Sequence, residues 1–163
     1  MIPLTHLIVF RQLYARLAET DINWVVTGSF SFALQGAPIT PDDIDLQTDK
    51  AGAYAIERSF AQYVTRNVTF VTSEQIRSHL GALMIDAITV EIMGDIQKRL
   101  ADGTWEEPLD LMQHRQFIAF EHMSIPVLSL EYEYQAYMKL GRIEKARMLQ
   151  RMVQEKKRKH TSS

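Results

Sequence analysis

The sequence NWVVTGSFSFAL, residues 23–34, is the most informative part of this chain, because within a few residues it passes from a strand pattern to a helix pattern. β-Branched and aromatic residues predict a short buried strand over residues 23–27. Gly28 and Ser29 follow at once, and the residues after them predict a helix that ends at Gly36 and Pro38. A strand that ends in Gly-Ser at the start of a helix brings backbone N–H groups and a hydroxyl together, an arrangement suited to phosphate.

Two later sequences, DDIDLQTD at residues 42–49 and TVEIM at residues 89–93, place carboxylates on predicted strands. Alternate side chains of a strand point to the same side, so Asp43 and Asp45 share one face. Glu91 lies in the middle of an apolar strand, where burial of its charge is costly without a partner. A divalent cation shared with Asp43 and Asp45 would supply that partner, because Mg²⁺ prefers oxygen ligands.

The remaining patterns predict an α+β protein with a mixed sheet flanked by helices. Helical periodicity marks residues 5–20 and 50–63, and strand patterns mark residues 67–72, 79–85, 88–93, 117–120 and 125–128. The strands over residues 79–85 and 88–93 are predicted to form a hairpin that turns at Asp86-Ala87. Gly94 is predicted to end the second of these strands.

The C-terminal part contains no proline and is rich in helix formers, which predicts one long helix over residues 129–153. Ser129 is its predicted cap, and Gly141 is a point where it is interrupted or softened. We therefore divide the chain into a core over residues 1–128, a helix packed on it over 129–155, and a basic, disordered tail over 156–163.

Composition narrows the functional classes. The chain has 163 residues, 46% of them apolar and 23% charged, as expected for one packed domain. Its formal net charge of −2 argues against a surface made entirely for nucleic acid. The absence of cysteine excludes disulfides, thiolate metal sites and cysteine nucleophiles. Arg11 and Arg16 interrupt the apolar N-terminal helix pattern, unlike a signal peptide or a membrane span, so we expect a cytoplasmic protein without a membrane partner.

Together, the Gly-Ser turn and the three carboxylates suit phosphoryl transfer with two metal ions, one activating an acceptor hydroxyl and one holding a triphosphate. Glu91 is the candidate base. The sequence has no GxxxxGK[ST], so the turn is not a Walker A loop. Simpler alternatives exist for each part: Ser29 as a helix cap, the two aspartates as a solvated strand edge, and Glu91 as the partner of an arginine.

These residues match a known family. VVTGSFSFAL, DDIDLQTD and VEIMGD resemble the signature of nucleotidyltransferases of the DNA polymerase β-like superfamily, and IPVLSLEYEYQAYMKLGRIEKA resembles the C-terminal segment of its small members. The resemblance covers about residues 23–149. In length the chain is similar to lincosamide nucleotidyltransferases and to minimal nucleotidyltransferases of toxin–antitoxin systems.

The resemblance implies a nucleotidyltransferase (DNA polymerase β-like) fold and a set of site residues. Gly28 and Ser29 would bind a nucleoside triphosphate (NTP). Two Mg²⁺ ions would be bound by the catalytic carboxylates, Asp43, Asp45 and Glu91. Lys139 or Arg142 would hold triphosphate oxygens, with a solvated helix face as the alternative.

The implied activity is the metal-dependent transfer of a nucleoside monophosphate (NMP) to a hydroxyl, with release of pyrophosphate. The acceptor is a small molecule, a tRNA or a partner protein, and a homo-oligomer is compatible with the sequence. Two rival interpretations remain: a catalytically inert binding module with the same fold, and one component of a toxin–antitoxin pair.

Overall fold

The computed structural model describes the backbone of residues 1–161 and the side chains of residues 1–159. Within this part of the chain, seven strands form one sheet and six helices pack around it. In chain order the elements are α1 (Leu4–Leu17), β1 (Trp24–Thr27), α2 (Gly28–Leu34), β2 (Ile44–Thr48), α3 (Lys50–Ser59), β3 (Val64–Thr72), β4 (Ile76–Ile85), β5 (Ile88–Lys98), α4 (Leu111–His114), β6 (Arg115–Phe120), β7 (Met123–Leu128), α5 (Leu130–Lys139) and α6 (Ile143–Thr161).

The sheet is mixed, with the strand order β3-β4-β5-β2-β1-β7-β6. β2 lies at its centre, parallel to β5 and antiparallel to β1, while β1 runs parallel to β7. Antiparallel hairpins form both edges. β1 is apolar and fully buried because helices or strands cover it on every side, as is usual for strands with parallel neighbours. The predicted α+β class with a mixed, helix-flanked sheet is confirmed.

Apolar clusters hold the helices to the sheet and to one another, and two of these clusters involve α1, α2 and the C-terminal helices. In the larger cluster, α1 presents a stripe of fully buried residues at helical spacing, Phe10, Leu13 and Leu17, to the central strands. The smaller cluster joins α2 to the C-terminal helices through Phe32, Leu130 and Leu149. The C-terminal helices are therefore packed into a core of their own with α2.

The β4–β5 hairpin turns at Asp86 and Ala87 as predicted, and both residues have positive φ, at 49° and 65°. This geometry belongs to two-residue turns that match strand twist. The prediction that Gly94 ends β5 is wrong, because the strand continues to Lys98 through a β-bulge. One residue of β4, Ser78, lies between its pairs with Gly94 and Gln97 and faces two residues of β5, Asp95 and Ile96, and Asp95 takes a φ of 51°.

The C-terminal segment is helical as predicted, and Gly141, the predicted point of interruption, divides it into two helices, of which α6 is long. The chain breaks at Gly141, whose φ is 75°. The N–H of Arg142 donates to the carbonyl of Tyr137 at 2.9 Å and the N–H of Gly141 donates to that of Met138 at 3.1 Å. These two bonds form a Schellman motif, which needs a left-handed residue and so favours glycine. Ser129 caps the first of the two helices as predicted, accepting from the N–H of Tyr132.

The helix α6 extends to Thr161, past the predicted start of the disordered tail at residue 156. Lysine, arginine, glutamine and glutamate are good helix formers, so a basic composition does not by itself end a helix. Residues 162–163 of the predicted tail lie outside the described residues. Neither α6 nor any other helix within residues 1–161 is long and apolar enough to cross a membrane.

Candidate active site

The sheet places Thr27, Asp45 and Glu91 side by side on three adjacent strands. Asp45 on β2 pairs with Thr27 on β1 and with Glu91 on β5. Residues in register on neighbouring strands point to the same face, so the two carboxylates and the hydroxyl form one row across the sheet. All three line the same cleft.

Gly28 packs directly against Asp45. A Cβ built on Gly28 would lie 2.6 Å from Oδ2 of Asp45, and the φ of Gly28 is +72°, a conformation that L side chains rarely adopt. The turn between β1 and α2 therefore requires glycine for two reasons, its backbone conformation and the close approach of the carboxylate.

The cleft, of about 240 Å³, lies between the sheet and helix α5. The sheet supplies the row of Thr27, Asp45 and Glu91 and then a further stretch of β5. Before the bulge the cleft residues of β5 are Glu91 and Met93, and after it they are Ile96 and Lys98. The extra residue in the bulge shifts the alternation, and this shift turns Lys98 toward the cleft.

The two central carboxyls repel one another. Burial, and then the nearby charges of Glu91 and Asp43, raise the pKa of Asp45 from 3.8 to about 7. Burial and the charge of Asp43 also raise the pKa of Glu91, while Arg66 acts in the opposite direction. Among the described residues no ion pair joins Glu91 to an arginine. The charge of Arg66 thus does not offset the burial and the repulsion that raise the pKa of Glu91.

Asp43 lies in the exposed loop that leads into β2, outside the cleft lining, yet its charge acts on both Asp45 and Glu91. The buried His6 of α1 fixes this loop, because its Nε2 donates to the carbonyl of Asp42 at 2.8 Å. Helix α1 therefore sets the position of the first acidic residue relative to the other two.

Of the two predicted phosphate ligands, Gly28 lines the cleft and Ser29 does not. Gly28 lines the cleft, but its N–H donates to Glu133 at 3.3 Å, so this amide is already engaged. Ser29 is half-buried in the first turn of α2 and does not line the cleft. The hydroxyl of Thr27 does not cap α2 either, because it too donates to Glu133.

Of the predicted cations, Arg142 lines the cleft and Lys139 does not. Lys139 is exposed and pairs with Glu106 at 3.3 Å. Lys145, one turn into α6, lies near enough to Asp45 to lower its pKa. Arg142 and Lys145 both lie over the ring of Tyr137, at 5.8 Å and 5.7 Å. The break at Gly141 thus presents two cations beside the carboxylates.

Two charged cleft residues, Lys98 and Glu133, were not predicted from the sequence. Glu133 of α5 is buried, and its Oε1 accepts from Thr27 and Gly28. Lys98 is also buried, donates from Nζ to the Tyr132 hydroxyl at 2.8 Å and pairs with Glu106 at 3.9 Å. Glu133 resembles any acidic residue of a helix, and Lys98 lies beyond a bulge that no sequence pattern marked.

Among the described residues, no group of three or more histidine, cysteine, aspartate or glutamate side chains is arranged to hold a metal ion. Mg²⁺ is commonly bound by one or two carboxylates together with substrate phosphates and water, and rarely by an all-protein cage. The pair formed by Asp45 and Glu91 supplies ligands of this kind.

The fold and its acidic cleft define a protein of the nucleotidyltransferase class, and comparison with solved structures agrees. A protein from Thermotoga maritima, TM1012, provisionally assigned as a nucleotidyltransferase, is 57% identical over 95% of this chain and 96% of its own, with a TM-score of 0.84. The chain belongs to the aminoglycoside-2''-adenylyltransferase family, whose model matches residues 9–151. No curated protein sequence matches the chain at a significant level.

Two more distant structures share the fold. The lincosamide antibiotic adenylyltransferase LnuA, bound to lincomycin, is 10% identical over 93% of this chain and 98% of its own, with a TM-score of 0.58. ANT(2'')-Ia, in complex with adenylyl-2''-tobramycin, is 13% identical over 89% of this chain and 87% of its own, with a TM-score of 0.57. At these identities the likeness is one of fold.

Proposed function

We propose that the protein transfers an NMP from an NTP to a hydroxyl of a small-molecule acceptor and releases pyrophosphate. The observation that carries this proposal is the row in which Asp45 and Glu91 lie in register on adjacent strands of one cleft, with Gly28 against Asp45. Membership of an adenylyltransferase family supports the same reaction and makes ATP the first NTP to test.

The carboxylates fit a divalent cation. Their oxygens are the ligands that Mg²⁺ prefers, and a bound cation would offset the burial and the carboxylate repulsion that raise the pKa of Asp45. We assign Asp45, Glu91 and Asp43 as the ligands. When bound, two Mg²⁺ ions would neutralise triphosphate charge and lower the pKa of the acceptor hydroxyl.

The chain's own residues have separate roles in the proposed reaction. Arg142 on the far side of the cleft and Lys145 near Asp45 bind the triphosphate oxygens. Gly28 allows the phosphates to approach the backbone of the β1–α2 turn, while Ser29 of the same turn lies outside the cleft lining. The acceptor oxygen attacks the α-phosphorus, the bond from this phosphorus to the pyrophosphate oxygen breaks, and the carboxylate of Glu91 takes the hydroxyl proton. Lys139, paired with Glu106, acts at the rim of the same site.

The proposed acceptor class follows from the relatives. The family is named for adenylyl transfer to an aminoglycoside, and the two distant structures hold an antibiotic or an adenylylated antibiotic. A small molecule that carries hydroxyl groups is therefore the acceptor that we propose, with tRNA and protein acceptors as competing results of a product screen.

Thermal unfolding with each NTP, with and without Mg²⁺, tests the proposal. Ligand at 100 times its dissociation constant adds about 2.7 kcal/mol, or roughly 5–11 °C in Tm for a domain of this size. We expect a Mg²⁺-dependent rise with ATP that Asp45→Asn abolishes. Asp42→Asn, a matched change at an exposed neighbour, should retain the rise. Absence of a shift with every NTP at millimolar concentration would favour an inert module.

A further inference from the structure

Glu133 connects helix α5 to the turn that supports Asp45. Its Oε1 accepts a hydrogen bond from the hydroxyl of Thr27 and another from the N–H of Gly28 at 3.3 Å. Thr27 pairs with Asp45 across the β1–β2 ladder, and Gly28 packs against the Asp45 carboxylate. One side chain of α5 therefore holds both residues that surround Asp45 on this side.

This contact lowers the stability of the fold. Glu133 is only 4% exposed, and its Oε2 lacks a hydrogen-bond partner among the described residues. Burial raises the pKa of Glu133 to about 8. A buried carboxyl with an unsatisfied oxygen costs free energy that an apolar side chain of similar volume would not cost. Stability alone gives no reason for glutamate at this position.

We propose that Glu133 is a positioning residue for nucleotide binding, which holds the Thr27–Gly28 turn against Asp45 through its acceptor oxygen. The inference rests on the proposed function and deepens it. Helix α5 then carries two linked tasks, because its N-terminal half fixes the turn and its C-terminal end leads through Gly141 to Arg142 and Lys145. The carboxylate row and the cations on the opposite wall are set by the same helix.

Two substitutions separate the role of the acceptor oxygen from that of the carboxyl group. Glu133→Met retains the volume and removes the acceptor oxygen, whereas Glu133→Gln retains an acceptor oxygen and removes the carboxyl group. Glu131→Met is the matched control, since Glu131 is exposed on the same helical turn. For each variant we would measure Tm, the Kd for ATP with Mg²⁺, and the exchange rate of the Gly28 amide by ¹⁵N NMR.

We expect Glu133→Met to exchange the Gly28 amide faster and to bind ATP at least about tenfold more weakly, with a Tm within a few degrees of wild type. Glu133→Gln should bind ATP within about twofold of wild type and have a higher Tm. Glu131→Met should change neither ATP binding nor exchange of the Gly28 amide. Unchanged ATP binding in Glu133→Met, or unchanged exchange at Gly28, would overturn the inference. So would a Glu133→Gln variant that binds as weakly as Glu133→Met.

Failure of the proposed function gives a different result. In that case wild-type protein itself binds no NTP, and the nucleotide role of Glu133 falls with it. Failure of this inference alone leaves wild-type binding intact and equal to that of Glu133→Met.

Discussion

At the residue scale, Asp45 is both closely packed and repelled by nearby negative charge. It is held by Gly28 on one side and repelled by Glu91 and Asp43 on the other. A residue in such a position is expected to reduce the stability of the metal-free protein while serving a ligand, as many functional residues do.

Replacement of Asp45 by asparagine should stabilise the metal-free protein in a pH-dependent way. The pKa of Asp45 is about 7 in the folded protein and 3.8 when unperturbed. The folded state therefore holds the proton more tightly, so the contribution of Asp45 to stability falls as the pH rises from about 4 to 7 and is constant above that range. In EDTA, Asp45→Asn should exceed wild type in Tm by on the order of 5 °C at pH 8 and by less at pH 5. An equal difference at both pH values would contradict this assignment.

The same variant should lose at least about 100-fold in NMP transfer, which corresponds to roughly 3 kcal/mol of transition-state stabilisation. Pyrophosphate release with ATP and an aminoglycoside acceptor measures this loss. Asp42→Asn serves as the control, and equal losses in the two variants would argue against a specific role of Asp45.

Gly28→Ala should also impair the site. The added methyl group meets Oδ2 of Asp45, and the φ of +72° strains any L residue by about 1–2 kcal/mol. We expect a Tm lower by several degrees together with weaker ATP binding. Gly36→Ala is the control, because Gly36 also has a positive φ, at 101°, but nothing lies within 4 Å of an added Cβ. Similar loss of ATP binding in both variants would indicate a general effect of backbone strain.

The sequence predicts much of this site because the chemistry is local. The alternation in DDIDLQTD predicts Asp43 and Asp45 on one side of a strand, and an isolated charge in TVEIM marks Glu91. The structure places Asp45 and Glu91 in the cleft and Asp43 in the loop before β2. Glu133 could not be found in this way, because its importance arises from contacts with Thr27 and Gly28, more than 100 residues earlier. No periodicity in α5 separates it from a solvent-exposed glutamate.

At the scale of elements, the break between α5 and α6 decides where the cations lie. A continuous helix would carry Arg142 and Lys145 along the axis of α5, whereas the Schellman motif at Gly141 changes the chain direction immediately before them.

Gly141→Ala should disturb this arrangement at little cost to the fold. The left-handed conformation costs an alanine about 1–2 kcal/mol, and an added Cβ meets no atom within 4 Å. We expect a Tm lower by a few degrees and weaker ATP binding, both measured by thermal unfolding with and without nucleotide. Gly141→Asn should be milder, since asparagine tolerates the left-handed region. Gly141→Ala with wild-type ATP binding would show that the cations do not depend on the break.

The sequence also predicts most of the elements, since the strands from β1 to β7 and the helices α1 to α3 carry clear periodicity. Glycines within long patterns are harder to interpret. A single glycine costs a helix only about 1 kcal/mol, so the sequence marks Gly141 as an interruption or a softening without choosing between them, and the structure has a full break there. At Gly94 the prediction is wrong, because the predicted strand end is a bulge inside β5.

At the scale of the whole molecule, the C-terminal helices belong to the fold as much as the sheet does. Leu149 of α6 is fully buried with Phe32 of α2 and Leu130 of α5, and the ring of Tyr137 meets Phe32 edge-on at 6.0 Å. The division into a core over residues 1–128 and a separate helix stays a prediction, which unfolding experiments can test.

Leu149→Ala should destabilise the entire protein by about 2–5 kcal/mol, on the order of 10 °C in Tm, because it leaves a cavity between α2, α5 and α6. Circular dichroism and tryptophan fluorescence, which comes from Trp24 in the larger apolar cluster and from Trp105, should report one shared transition. Met138→Ala at an exposed position is the control. A helical signal that melts before the tryptophan signal would indicate that α6 detaches independently.

The bulge in β5 has a consequence for mutational tolerance along that strand. Even-numbered positions before it, Val90 and Ile92, face the apolar core, whereas even-numbered positions after it, Ile96 and Lys98, face the cleft. In a saturation scan of β5, the cleft-facing positions should therefore have odd numbers before Asp95 and even numbers after it. Substitutions at Val90 and Ile92 should reduce protein abundance, while those at Lys98 should alter ligand preference in protein that still accumulates. Deletion of Asp95 would remove the bulge and leave Ile96 and Lys98 on the cleft side, because regular alternation would then lead directly from Gly94 to Ile96.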